Sequence, residues 1–171
     1  MENAAAYREE FTQQCVLRFR ENLEKIRTCL GLLSEEAFWY RPNPASNATG
    51  HLLIHLTGNI RQYILSGLGG HPDTRRRPME FQEPAAQERA AVEADFFQVC
   101  SEALEIIERL WPPLFLESKK VQGFDLTGMG ILLHVVEHLS YHTGQIAYLT
   151  KMQTGKDLGF YREADLNQRN D

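Results

Sequence analysis

The stretch Ile131-Leu132-Leu133-His134-Val135-Val136-Glu137-His138-Leu139-Ser140-Tyr141-His142-Thr143-Gly144-Gln145-Ile146 reads as helix rather than strand. Its apolar residues Ile131, Val135, Leu139 and Ile146, with Leu149 beyond, recur at steps of three and four, whereas a half-buried strand would alternate at every second position. The period predicts a helix from about Thr127 to Met152 that ends at Gly155. On that helix His142 projects into the middle of the apolar arc, His138 about 40° to one side and His134 about 80° away, near its edge.

Working back from this helix, Leu114 to Asp125 is expected to be an irregular crossing, and Pro112-Pro113 closes the element before it. That element, a third helix announced by Pro84, carries Phe96, Val99, Ala103, Ile107 and Leu110 on one face. A second helix is expected from Ser46-Asn47, either of which could cap it, to Leu65, with Gly67, Gly69 and Gly70 ending it. The first helix spans about residues 5 to 31, its face marked by Phe11, Cys15, Phe19, Leu23, Ile26 and Leu30, and Ser34 to Tyr40 adds a short helical turn before Pro42 and Pro44. Four long helices and no alternating strand segment define an all-α, four-helix-bundle fold, a single domain over 1–171. The connection between helices two and three, roughly Gly67 to Glu83, is long, and loops of that length often carry function. Phe160 and Tyr161 are expected to pin a polar tail onto the bundle.

With 171 residues, 43% hydrophobic and 24% charged, the chain is ordinarily globular and long enough to bury roughly 70% of the surface exposed when unfolded. The net charge of −5 provides no basic field for nucleic acid. Arg75-Arg76-Arg77, the one basic run, sits between His71-Pro72-Asp73 and Pro78 and reads as solvated loop. Three cysteines, Cys15, Cys29 and Cys100, without CxxC spacing, suit buried apolar positions in a reducing compartment. With no leader-like N-terminus and no membrane-length apolar run, a cytoplasmic protein without membrane contact is expected.

Five of the six histidines fall on two helices: His51 and His55 on the second, His134, His138 and His142 on the fourth. On the second helix His51, His55, Asn59 and Gln62 form a polar, uncharged strip, which reads as the lining of a cavity. Three imidazoles buried without partners would cost roughly 1 to 3 kcal/mol each, comparable in sum with a domain's net stability of about 5 to 15 kcal/mol. Their nitrogens therefore need a shared partner, and a divalent metal held by two histidines of one helix and one of its neighbour supplies it. His134-Val135-Val136-Glu137-His138 also has the H-x-x-E-H spacing of an inverted zinc-peptidase motif. Glu137, however, projects about 100° from His138, toward the polar side, and no acidic third ligand is evident downstream beyond Glu163.

His138-Leu139-Ser140-Tyr141-His142-Thr143-Gly144-Gln145-Ile146 resembles the last bundle helix of the DinB superfamily, with its H-x-x-x-H-x-G-Q pattern. His55-Leu56-Thr57-Gly58-Asn59 resembles the earlier helix that contributes one more histidine. The resemblance covers nearly the whole chain. It implies a commonly dimeric four-helix bundle that binds zinc, nickel or a similar divalent ion through His55, His138 and His142, with His51 the rival to His55. Family members of known activity include bacillithiol-using thiol S-transferases and a mycothiol-dependent isomerase. The expected function is thus a metal-dependent thiol S-transferase that joins a low-molecular-weight thiol to a small electrophilic substrate. The alternatives are a metal-dependent hydrolase, weakened by the absence of a carboxylate beside the inward histidines, and a non-catalytic metal-binding bundle. His51, Asn59, His134, Tyr141 and Gln145 are expected to line the pocket or to orient the ligand rings.

Overall fold

The computed structural model describes residues 2–82 and 87–169. Four long helices carry the fold: α1 (Glu2–Leu30), α3 (Thr49–Ile60), α4 (Arg89–Glu108) and α5 (Gly128–Thr154), with a five-residue α2 (Glu35–Trp39) between the first two. α1 packs on α5 and α4, and α3 packs on α4 and α5, so the order around the bundle is α1, α5, α3, α4. The arc anticipated on α5 faces this core, where Ile131, Leu139 and Ile146 are fully buried. Burial of each such side chain contributes about 1.5–3 kcal/mol. Buried threonines on the same helices bond within their own turn, Thr143 Oγ1 donating to the Leu139 carbonyl and Thr57 Oγ1 to that of Leu53, so their hydroxyls enter the core satisfied.

The caps show why the helices start and stop where they do. Thr127 Oγ1 accepts from the Gly130 N–H at the head of α5, and Gly155, at φ 64°, closes its end with an N–H to the Lys151 carbonyl. α3 differs from expectation, since neither Ser46 nor Asn47 caps it. Its N-cap is Ala48, whose N–H is taken by His51 Nδ1 at 3.3 Å, so a histidine of the polar strip does the capping. Past Ile60 the helix widens into a π turn, Arg61–Ser66. Pro84 lies outside the described residues, and α4 is described from Arg89.

The crossing before α5 is more ordered than its sequence suggests. Pro112–Phe115 forms a 3-10 turn, and β1 (Ser118–Val121) pairs antiparallel with β2 (Phe124–Thr127), Val121 opposite Phe124. The expectation of no strand is thereby corrected. Gln122 (φ 52°) and Gly123 (φ 86°) occupy the two-residue turn, the positive φ pair of the hairpin turn whose twist matches its strands. The tail docks as expected, though through one residue more: Leu158 is buried, Phe160 packs on the core and the Tyr161 hydroxyl accepts from Lys25 Nζ. Cys15, Cys29 and Cys100 are buried free thiols, and burial pushes Cys15 up to about 11. No helix among the described residues is long and apolar enough to cross a membrane.

Candidate metal centre

α3 and α5 bring His55, His138 and His142 together. One nitrogen from each lies within 4.8 Å of the other two. His55 Nε2 and His138 Nε2 face each other at 3.1 Å. Two nitrogens on one tetrahedral ion, with bonds of about 2.0–2.1 Å, would be separated by about 3.3 Å, so this spacing suits a shared metal. Without one, two facing nitrogens of this kind need a proton between them.

The outer nitrogens of two rings are already engaged. His142 Nδ1 lies 2.7 Å from Gln145 Oε1; the carbonyl oxygen can only accept, so Nδ1 carries the proton and Nε2 keeps its lone pair. His55 Nδ1 lies 2.7 Å from Glu80 Oε2 and 3.3 Å from Arg75 Nη2. His138 Nδ1 is buried without a hydrogen-bond partner among the described residues. Burial, reinforced by His142, His55, His134 and Arg75, pushes His138 down to about 3, and burial also lowers His142 against the pull of Gln145. His138 and His142 are therefore favoured in the neutral form, the one that binds metal. A soft, borderline divalent ion fits this nitrogen donor set better than calcium or magnesium, which favour oxygen.

The remaining expected residues divide. Tyr141 stands edge-on to His142 at 4.9 Å between ring centres and is 64% exposed, at the rim. His134 stacks on Tyr63 at 4.3 Å and receives Asn59 Nδ2 at 3.5 Å, beside the triad rather than in it. Glu137 is exposed, as the rejection of the peptidase-like spacing requires, and burial lowers His134 despite the opposing charge of Glu137. His51 caps the start of α3, its ring edge-on to Trp39, and it is His55 that the structure groups with His138 and His142. Among the described residues the polar strip faces Trp39, α5 and the 71–82 segment in turn.

Three residues, Arg75, Glu80 and Phe81, escaped sequence reading. Arg75 is not a solvated loop arginine: its side chain is 3% exposed and pairs with Glu80, itself 7% exposed, through Nε to Oε1 at 2.7 Å and Nη2 to Oε2 at 3.0 Å. A carboxylate therefore does accompany the histidines, contrary to expectation. Burial works to raise the pKa of Glu80, but the hydrogen bonds from His55 and Arg75 outweigh it and hold the carboxyl below its usual range. Phe81, next in sequence, brings its ring to 5.0 Å from that of His55. The one available signal was the loop's length. An open cleft of about 940 Å³ between α3, α4 and this loop reaches Arg75 and Glu80 but none of the three histidines. The convergent donors that a metal site needs are offered by the histidines rather than by this cleft.

An all-α bundle with three inward histidines from two of its helices is the class of protein this geometry defines, a DinB-like fold. Two solved structures agree. A DinB-like protein from Bacillus subtilis aligns with a TM-score of 0.62 at 18% identity, over 82% of this chain and 92% of its own. A DinB-like protein from Bacillus cereus aligns with a TM-score of 0.64 at 17% identity, over 86% and 93%. No curated protein sequence matches. The family model described as mycothiol S-transferase matches residues 16–155, so the chain belongs to that family, within the DinB superfamily.

Proposed function

We propose that this protein is a metal-dependent thiol S-transferase, joining a low-molecular-weight thiol to a small electrophile. The observation that carries the reading is the triad of convergent imidazoles in a chain of the mycothiol S-transferase family. A zinc or nickel ion held by His55, His138 and His142 would lower the pKa of a bound thiol and keep it as thiolate near neutral pH. Gln145 and Glu80 hold two of the three rings with a lone pair inward. Phe81 covers one flank of His55, and the exposed Tyr141 borders His142, leaving that rim for the electrophile. Hydrolysis is less well supported: Glu80 is the buried carboxylate at hand, and both its oxygens are taken up by His55 and Arg75.

The test pairs metal analysis of the purified protein with turnover of a generic electrophile against a panel of thiols, using His142→Ala as control. Thiol-dependent turnover in the wild type alone supports the reading. Equal turnover by both proteins overturns it, and bound metal without turnover on any thiol favours a non-catalytic bundle. We also propose a cytoplasmic homodimer, supported by three buried free thiols and by the exposed apolar side chains Tyr141, Tyr148 and Met152 along one side of α5.

A further inference from the structure

The 71–82 segment after α3 folds back across that helix and delivers a buried ion pair to the metal centre. Asp73 accepts from Gln62 Nε2 at 2.8 Å and from the Arg75 N–H, and Gln62 Oε1 accepts from Arg75 Nη1 at 2.9 Å. The Arg75 guanidinium is thus fixed from the π turn before it meets Glu80. Its Nε and Nη2 clamp both Glu80 oxygens, and Oε2 in turn lies 2.7 Å from His55 Nδ1. Access for the carboxylate depends on Gly58, one turn along from His55: a Cβ there would overlap Glu80 Oε1 and crowd Arg75 Nε. The segment His55-Leu56-Thr57-Gly58 therefore carries a ligand and, three residues on, the gap through which that ligand's partner arrives.

We infer that Glu80, clamped by Arg75 and admitted by Gly58, is the positioning residue that holds His55 in the Nδ1–H tautomer and so presents Nε2 to the metal. The inference rests on the metal-centre part of the proposed function and extends it to residues outside the ligand set. Its physical core is a competition. Arg75 Nη2 lies only 3.3 Å from His55 Nδ1 and can only donate. With the carboxylate present, both donors share Glu80. Without it, the guanidinium would aim a proton at Nδ1, favour the Nε2–H tautomer and close the nitrogen that the metal needs. Glu80 therefore both orients the ring and occupies a neighbouring donor that opposes metal binding.

Nitrogen-15 NMR of imidazole-labelled, metal-free protein reports the tautomer directly, and chelator competition with zinc reports affinity; thermal melts confirm folding. Glu80→Ala is expected to move His55 toward Nε2–H and to weaken zinc by about 10- to 100-fold, as loss of a ligand's hydrogen-bond partner does elsewhere. Gly58→Ala is expected to reproduce both changes with Glu80 still in the chain. Glu80→Gln, whose carbonyl can still accept and which preserves packing, is expected to lose less. Removing Arg75 as well, in Glu80→Ala/Arg75→Ala, is expected to recover zinc affinity relative to Glu80→Ala alone. A general structural role for the ion pair predicts the opposite for that double variant. Retention of Nδ1–H in Glu80→Ala, or zinc affinity within twofold of wild type, overturns the inference. If the wild type binds no zinc or nickel, the metal reading fails, while the tautomer measurement still decides the role of Glu80.

Discussion

Among the five histidines on α3 and α5, what a ring does follows from what its second nitrogen meets. His142 and His55 each have an acceptor behind them, Gln145 and Glu80, so each can present a lone pair forward. His134 instead stacks on Tyr63 and takes Asn59, which gives it a share of packing rather than a place at the ion. His142→Ala is accordingly expected to lower zinc affinity by at least about 100-fold, beyond what losing a ligand's hydrogen-bond partner costs. His134→Ala should change it little; similar losses in both, measured by chelator competition, would contradict the assignment of the triad. The buried rings also set a pH dependence. In the metal-free protein His138 is held down to about 3, and His142 is lowered in the same sense, while the unfolded chain takes up protons near 6.5. The unfolded state then binds more protons between those values, so stability is full above about 6.5 and falls as pH drops toward 3. Urea midpoints in chelator should decline from pH 7.5 to pH 5, and less steeply in His138→Leu; a flat wild-type profile would contradict the shift.

At the scale of the element, α5 is fixed by its own signals. Thr127 opens it, the apolar arc seats it, and Gly155 closes it in the left-handed region. A residue with a Cβ at Gly155 pays a left-handed penalty, so Gly155→Ala should cost about 1 kcal/mol in urea-derived stability. Gly155→Asn should cost less, and no difference between wild type and Gly155→Ala would show that the cap contributes little. α3 illustrates a different balance. The apolar residues around much of its circumference are covered within one chain, because α4, α5, the short α2 and the 71–82 segment pack on successive sides. It therefore lends no support to a dimer.

For the whole molecule the open question of surface lies on α5. Tyr141, Tyr148 and Met152 are between 47% and 70% exposed and lie along one side of the helix, exposed apolar surface of a kind that marks contact surfaces. Under the proposed homodimer this side is buried, which would place the Tyr141 rim of the metal centre at the interface. Sedimentation should show twice the monomer mass, with Tyr148→Glu shifting the population toward monomer. A wild-type monomer at working concentration would remove the proposal.

Periodicity and punctuation alone sufficed for the four long helices and the inward pair His138 and His142, because both are local: a 3.6-residue repeat places i and i+4 on one face wherever the helix goes. His55 became legible through a resemblance, since nothing local separates it from His51; the difference is that His51 caps α3 and His55 sits one turn deeper, opposite α5. The hairpin was missed because its four-residue strands are too short to show alternation, and its turn is signalled by little more than Gln122-Gly123. Arg75 and Glu80 depended on tertiary structure entirely. An arginine in a basic, proline-flanked loop reads as solvated, and only the return of that loop across α3 buries it against a carboxylate that pairs with His55. Contacts between residues 20 or more apart carry no spacing rule, so most of the histidine cluster was within reach of the sequence, and the groups packed behind it were decided by the fold.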